Sequence, residues 1–151
     1  MKEKQFNLID IATIQDTQKY IQDVLNKILK NSNLPVAIFA TSDDCEKVLN
    51  KIYNYSGNLR SNVEKDKTNL EAEATYIYCQ NNFSIEEIIS KCLEIAESEY
   101  RLEYLFIDNF SNITIKKRKF NKENKVPIYI ANKLAQLSDK LGTTVIVLDK
   151  K

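Results

Sequence analysis

Short apolar runs recur along the chain without alternation with polar residues, and they constrain the fold more than any other feature. Runs of this kind are typical of strands that are buried on both faces of a sheet. They occupy residues 6–12, 34–41, 75–79, 104–110 and 143–148. The pattern therefore predicts a sheet of about five strands.

Segments with helical spacing of apolar residues separate these runs. One helix is expected to begin at Ser84, because its hydroxyl and the Glu87 carboxylate can bond free backbone amides reciprocally. The last helix is expected to end at Gly142, which can adopt a left-handed conformation. Strands that alternate with helices predict a single doubly wound α/β domain over residues 1–151, mostly parallel, with helices on both faces. Two polar segments, 55–74 and 109–126, are predicted to be surface loops.

Composition narrows the class of protein. Hydrophobic residues make up 43% and charged residues 28%, as in ordinary globular proteins. Lys plus Arg number 22 against 21 Asp plus Glu, so binding to nucleic acid would require a local patch. Cys45, Cys79 and Cys92 are too far apart for a metal knuckle, which favours reduced thiols in a cytosolic protein. With no signal-peptide core and no apolar stretch near about 18 residues, neither export nor membrane insertion is expected.

Missing residue types exclude several kinds of chemistry. The chain has no histidine, which removes the Ser-His-Asp and Cys-His catalytic arrangements. Its two glycines, Gly57 and Gly142, are too few for a glycine-rich phosphate loop. No catalytic residue and no cofactor is therefore assigned.

Three stretches of the sequence resemble the RecA-like ATPase domain of DnaB-type replicative helicases. They read LPVAIFATSDD, TYIYCQNNFSIEEIISKCLEIAESEYRLEYLFIDNF and IANKLAQLSDKLGTTVIVLDK. They resemble that family's second core strand, its Walker B strand ending in aspartate with the helix before it, and the helix and strand that follow. The resemblance covers roughly residues 6–150 and implies a truncated RecA-like core; RadA-like and KaiC-like proteins share this architecture.

The family's phosphate loop corresponds here to residues 12–19, which read ATIQDTQK and contain no glycine. A phosphate loop uses glycines to bring backbone amides close to the phosphates, and a lysine to neutralise them. Asp16 would place a negative charge in that position, so we expect it to cap the following helix instead. Lys19 is expected to be a solvated helix residue.

The other functional positions implied by the resemblance are also altered. Ser42 stands at the family's catalytic glutamate, and Asp43 and Asp44 are expected to cap a helix rather than replace it. Asp108 matches the Walker B aspartate and is the one candidate magnesium ligand. Lys150 replaces a nucleotide-sensing glutamine, and the segment with the arginine finger is missing. We therefore expect no ATP hydrolysis.

A basic run lies where RecA-like helicases place a loop that faces the DNA channel. It consists of Lys116, Lys117, Arg118 and Lys119, with Phe120, Lys122 and Lys125 close by. Basic groups beside an aromatic ring suit contact with single-stranded DNA. A solvated surface loop explains the same run at least as well. Four tyrosines are expected to pack in the core and not to stack on bases, namely Tyr76, Tyr78, Tyr104 and Tyr129.

Three functional interpretations remain open from the sequence. The first is a non-catalytic helicase relative that contacts a replicative helicase, its loader or single-stranded DNA. The second is a divergent ATPase that binds ATP and magnesium through an altered loop. The third is an inactive relic or a fragment of a longer helicase. A monomer or dimer is expected in preference to a hexamer.

Overall fold

The computed structural model describes residues 5–31, 35–41, 47–48, 60–64, 67–72, 75–116 and 125–150. Within these ranges the chain forms nine strands and three full helices. In chain order they are β1 (Phe6–Asp10), α1 (Thr17–Asn31), β2 (Val36–Ala40), β3 (Arg60–Glu64), β4 (Lys67–Ala72), β5 (Thr75–Cys79), β6 (Phe83–Ser84), α2 (Ile85–Ser98), β7 (Tyr104–Ile107), β8 (Ile113–Thr114), α3 (Lys125–Leu141) and β9 (Thr144–Asp149). A 3-10 turn at Phe110–Asn112 joins β7 to β8.

The main sheet has the strand order β1-β9-β7-β2-β5-β4-β3. Its first five strands run parallel and are the five that the apolar runs predict. β2 lies at the centre, where Ile38 pairs with Ile77 of β5 on one side and with Phe106 of β7 on the other. The predicted parallel α/β sheet is confirmed.

The helices cover both faces of the sheet. On one face, α1 packs Ile21, Leu25 and Ile28 against Ile38 and other side chains of the strands. On the opposite face, α2 and α3 form a second core with every other residue of the same strands. Side chains of successive strand residues point to opposite faces, so unbroken apolar strands supply both cores. The doubly wound arrangement is therefore confirmed.

The helix boundaries follow local chemistry. The Ser84 hydroxyl accepts the Glu87 N–H at 3.0 Å and caps α2. Pro127 lies in the first turn of α3, where a backbone N–H has no partner within the helix. Gly142 has φ +62° and ends α3, as predicted.

The prediction that 55–74 is a loop was wrong for the part that the structure describes. β3 and β4 form an antiparallel hairpin that extends the sheet beyond β5. Their residues are largely polar, and backbone pairing at a sheet edge needs no apolar pattern. The predicted loop 109–126 likewise contains the 3-10 turn, β8 and the start of α3. Gly57 and residues 117–124 lie outside the described ranges.

Candidate functional site

The candidate site lies where the chain leaves β2 and β7 in opposite directions. Val48, which follows β2, packs into the core on the α1 face, whereas the chain after β7 leads to α3 on the other face. β2 and β7 are adjacent parallel strands. In open α/β sheets, ligands bind beyond the carboxyl ends of strands at such a switch point. Thr41 and Asp108 are the residues that immediately follow these two strands.

A compact polar cluster fills this position. Oδ1 of Asp108 accepts the Thr41 hydroxyl at 2.7 Å and the Thr41 backbone N–H at 2.8 Å. The Thr41 hydroxyl in turn accepts the side-chain amide of Asn112 at 3.1 Å. Asp108 is fully buried, and its own N–H donates to the Phe39 carbonyl at 3.2 Å. These bonds join the ends of β2 and β7 and hold the turn after β7 against them.

This cluster does not fit a magnesium site built by the described residues alone. One carboxylate oxygen of Asp108 already serves two donors, and the side chain has no solvent exposure. Mg²⁺ takes near-octahedral oxygen coordination and keeps several waters. Within the described ranges, no group of three or more His, Cys, Asp or Glu residues could hold a metal ion. Magnesium binding by Asp108 stays a prediction.

In the turn after β1, which the resemblance aligns with the phosphate loop, several backbone amides are bonded within the chain. The N–H groups of Ala12 and Lys19 donate to the carboxylates of Asp10 and Asp16, at 2.9 and 3.1 Å. Three further N–H groups donate to backbone carbonyls: that of Ile11 to the Asp149 carbonyl, that of Ile14 to the Ile11 carbonyl, and that of Tyr20 to the Asp16 carbonyl. A phosphate loop instead directs its amides at the ligand. The predicted capping role of Asp16 is confirmed, and Lys19 is exposed on α1.

The amino end of α2 forms a second polar cluster near the carboxyl end of β5. The Glu87 carboxylate accepts the side-chain amide of Gln80 at 3.2 Å. Oε1 of Glu86 accepts the backbone N–H of Lys116 at 2.9 Å. β8 pairs with β6 just before α2, so the beginning of the basic run is held at the head of this helix. Carboxylates at a helix amino end are stabilised by the helix dipole.

Only part of the predicted basic surface falls within the described residues. Lys116 is exposed, and Lys125 is exposed at the first position of α3. The predicted site residues outside the described ranges are Lys117, Arg118 and Lys119, with Phe120 and Lys122, and so are Ser42, Asp43 and Asp44. Lys150 directly follows β9 and is half-buried.

The tyrosines pack as predicted. Four of them are half-buried against the two cores, namely Tyr76, Tyr78, Tyr104 and Tyr129. The sequence does not reveal, however, that Thr41 is a hydrogen-bond partner of Asp108. Thr41 falls within the apolar run that predicts the second strand, and no sequence signal links it to Asp108, which lies 67 positions away. Only the strand order brings the two together.

The two cysteines within the described ranges are buried. Cys79 and Cys92 form no disulfide, and Cys45 lies outside the described ranges. Burial raises the pKa of the Cys92 thiol far above its ordinary value, so the thiol remains neutral. Within the described parts of the chain, no helix is both long enough and apolar enough to span a membrane.

No known protein family and no curated protein matches this sequence. Among solved structures, the fold is similar to a DnaB-like replicative helicase, described with its interactions with primase. The identity is 14%, the TM-score 0.64, and the match covers 98% of this chain and 39% of that one. The N-terminal domain of the DNA packaging ATPase from bacteriophage phi29 is similar over 97% of this chain and 74% of its own, at 13% identity and a TM-score of 0.44.

The similarity to the helicase confirms the RecA-like α/β fold expected from the sequence. This chain spans 39% of the length of that helicase chain, so the similarity concerns one part of a larger protein. At 14% identity it shows a common fold and does not extend to activity.

Proposed function

We propose that this chain is a non-hydrolysing relative of the ATPase domain of DnaB-type helicases, and that it acts in DNA replication by binding. The partners we propose are a replicative helicase, its loader or single-stranded DNA. Two observations support the proposal: the fold is similar to that of a helicase, and the residues expected at the nucleotide site lack the groups needed for phosphoryl transfer.

The turn after β1 carries this proposal. The amides of Ala12 and Lys19 are bonded to carboxylates of the chain itself. A nucleotide phosphate would have to displace the Asp10 and Asp16 carboxylates and approach their negative charge. The helix dipole that attracts phosphate in related domains is here complemented by Asp16. Both effects oppose phosphate binding at this turn.

Asp108 supports the same conclusion. In an active site the Walker B carboxylate must reach magnesium or its bound water. Here it is buried and accepts two hydrogen bonds from Thr41. We propose that its role is to fasten β2 to β7, which preserves the helicase-like surface without turnover.

Calorimetric titration with magnesium-ATP tests the loss of nucleotide binding. We expect no heat of binding and no rise in melting temperature, whereas a ligand at about 100 times its Kd would stabilise the fold by about 2.7 kcal/mol. Asp16→Ala removes the opposing charge and is also expected to give no heat, because residues 12–19 still lack the glycines that a phosphate loop needs. Micromolar binding by the unmodified chain would replace our proposal with the divergent ATPase.

Single-stranded DNA is one candidate partner. Lys116 is exposed on the edge of the sheet where ligands bind, and its backbone is held by Glu86. Lysine and arginine side chains that contact phosphates release counterions, so such binding weakens with salt. We propose that the run Lys116, Lys117, Arg118 and Lys119 supplies this contact.

Fluorescence anisotropy with a labelled oligonucleotide at rising salt tests DNA binding. Changing all four basic residues to alanine is expected to weaken binding at least tenfold and to flatten the salt dependence. The matched control removes the same charge elsewhere, by changing the exposed Lys19, Lys27, Lys30 and Lys140 to alanine. Equal losses of affinity in both variants would show that net charge alone explains the binding.

A helicase or its loader is the other candidate partner. Co-purification with a replicative helicase and with its loader, using the full chain as bait, is expected to retain one of the two. The control is the same bait after thermal unfolding. If the chain binds neither protein, nor DNA, nor ATP, the inactive relic becomes the better interpretation.

A further inference from the structure

The outer edge of β1 carries backbone groups that are directed away from the sheet. The Gln5 carbonyl accepts the Val145 N–H, and the Ile11 N–H donates to the Asp149 carbonyl. In a parallel pair, alternate residues bond the neighbouring strand. The residues between them, Phe6, Leu8 and Asp10, therefore direct their backbone N–H and C=O groups outward. Among the described strands, β1 pairs with β9 alone.

β1 has little of the usual protection against strand pairing, since its one charged residue, Asp10, lies at its carboxyl end. Exposed edges are commonly blocked by lysine, proline or a bulge. Here Leu8 lies at the centre of the strand and is 43% exposed. α3 packs beside β1, and its Ile128 is 63% exposed. Two of the three exposed large hydrophobic residues in the described ranges thus belong to the two elements at this edge.

We propose that β1 pairs with β1 of a second copy of this chain, antiparallel and about a twofold axis at Leu8. The two sheets then form one continuous sheet through the dimer. An isologous contact of this kind uses the same edge of both copies and closes without further growth. Strand addition at an open sheet edge is a common mode of protein association.

The register follows from the residues of the strand itself. With Leu8 opposite Leu8 of the second copy, Phe6 stands opposite Asp10, and all three outward-facing residues find backbone partners. A register that centres on Asp10 would place two carboxylates directly opposite each other, which is unfavourable. The formal net charge of +1 gives little repulsion between copies. Of these two alignments, only the one centred on Leu8 pairs all three outward-facing residues without opposed carboxylates, and its twofold symmetry suits a second copy of the chain.

Light scattering after size exclusion tests the dimer. At tens of micromolar we expect a mass of twice 17.5 kDa. Leu8→Lys is expected to halve the mass, because it places two ammonium groups opposite each other at the centre of the seam. Tyr100→Lys changes a residue that is 94% exposed outside β1 and should leave the dimer intact. A monomer at every concentration, or a dimer that survives Leu8→Lys, would refute the proposal.

Cysteine cross-linking tests the register. Directly opposed residues in a hydrogen-bonded antiparallel pair have Cα atoms about 5.5 Å apart, within disulfide range. Leu8→Cys is expected to form a disulfide-linked dimer under oxidation, whereas Asp10→Cys, which stands opposite Phe6, is not. The unmodified chain controls for its own cysteines. Efficient linkage at Asp10, or none at Leu8, would contradict this alignment. None of these readouts depends on nucleotide or DNA binding, so the dimer and the proposed function can fail separately.

Discussion

The hydroxyl and the backbone N–H of Thr41 both donate to the same carboxylate oxygen of Asp108, at 2.7 and 2.8 Å. Because Asp108 is fully buried, these bonds replace those that water would make to its side chain. They also connect two neighbouring strands at the edge where ligands bind in this fold. The residue expected to match the Walker B aspartate is therefore held by the protein itself.

Thr41→Val keeps the shape of the side chain and removes the hydroxyl. We expect the free energy of unfolding to fall by about 1–3 kcal/mol, the range for leaving a buried polar group without its hydrogen-bond partner. Urea denaturation measures this change. The control is Thr114→Val, an exposed threonine whose hydroxyl lies 3.4 Å from the Phe83 carbonyl, with an expected change within about 0.5 kcal/mol. Equal effects at both positions would contradict a special role for Thr41.

Asp16→Ala removes the cap of α1. The Lys19 N–H then loses its acceptor, and we expect a loss of about 1 kcal/mol in the free energy of unfolding. Asp16→Ser retains a capping oxygen and should recover most of this loss. A stability that is unchanged by the alanine variant would show that the cap contributes nothing.

Thr143→Val tests a buried bond between the two segments that lead into the neighbouring strands β7 and β9. The Thr143 hydroxyl donates to the Leu102 carbonyl at 2.6 Å, and both residues are buried. Without that donor the carbonyl is left unsatisfied, and we expect a cost of about 1–3 kcal/mol in urea denaturation. Ser111→Ala, at an exposed position, is the control and should change stability by less than about 0.5 kcal/mol.

Tyr100 and Gly142 both follow a helix and have positive φ, +65° and +62°. Glycine adopts this conformation without steric cost, whereas a residue with a Cβ does not. We expect Tyr100→Gly to raise the free energy of unfolding by up to about 1 kcal/mol, since the ring is 94% exposed and contributes little packing. Gly142→Ala should lower it by about 1 kcal/mol, through backbone strain alone, because a Cβ there meets no atom within 4 Å. Thermal denaturation of both variants measures the pair, and changes of the same sign would contradict this account.

The raised pKa of Cys92 predicts both its reactivity and a pH dependence. Burial keeps the thiol neutral in the folded chain, while in the unfolded chain it ionises above about pH 8.5. Stability from this group is therefore fully present below that pH and is lost as pH rises further. In a Cys45→Ser background, we expect a thiol reagent to label no cysteine in the native state at pH 8, and both remaining cysteines after denaturation. Rapid native labelling would contradict the burial of Cys79 and Cys92.

Local patterns of the sequence predict much of this fold. The apolar runs predict the five parallel strands because a strand buried on both faces must be apolar at every position. Ser84, Asp16 and Gly142 mark helix ends because capping depends on neighbours within a few residues. The absence of glycine from residues 12–19 is likewise visible without a structure.

The tertiary structure alone decides which strands are neighbours. Strand order places β7 beside β2 and so brings Asp108 to Thr41, and it leaves β1 at an edge with Leu8 exposed. The polar hairpin of β3 and β4 is held by backbone pairing, which leaves no periodic signal in the side chains. Local propensity and hydrophobic period act over a few residues. Packing between segments far apart in the chain decides which strands are neighbours, in which register they pair and which strand lies at the edge of the sheet.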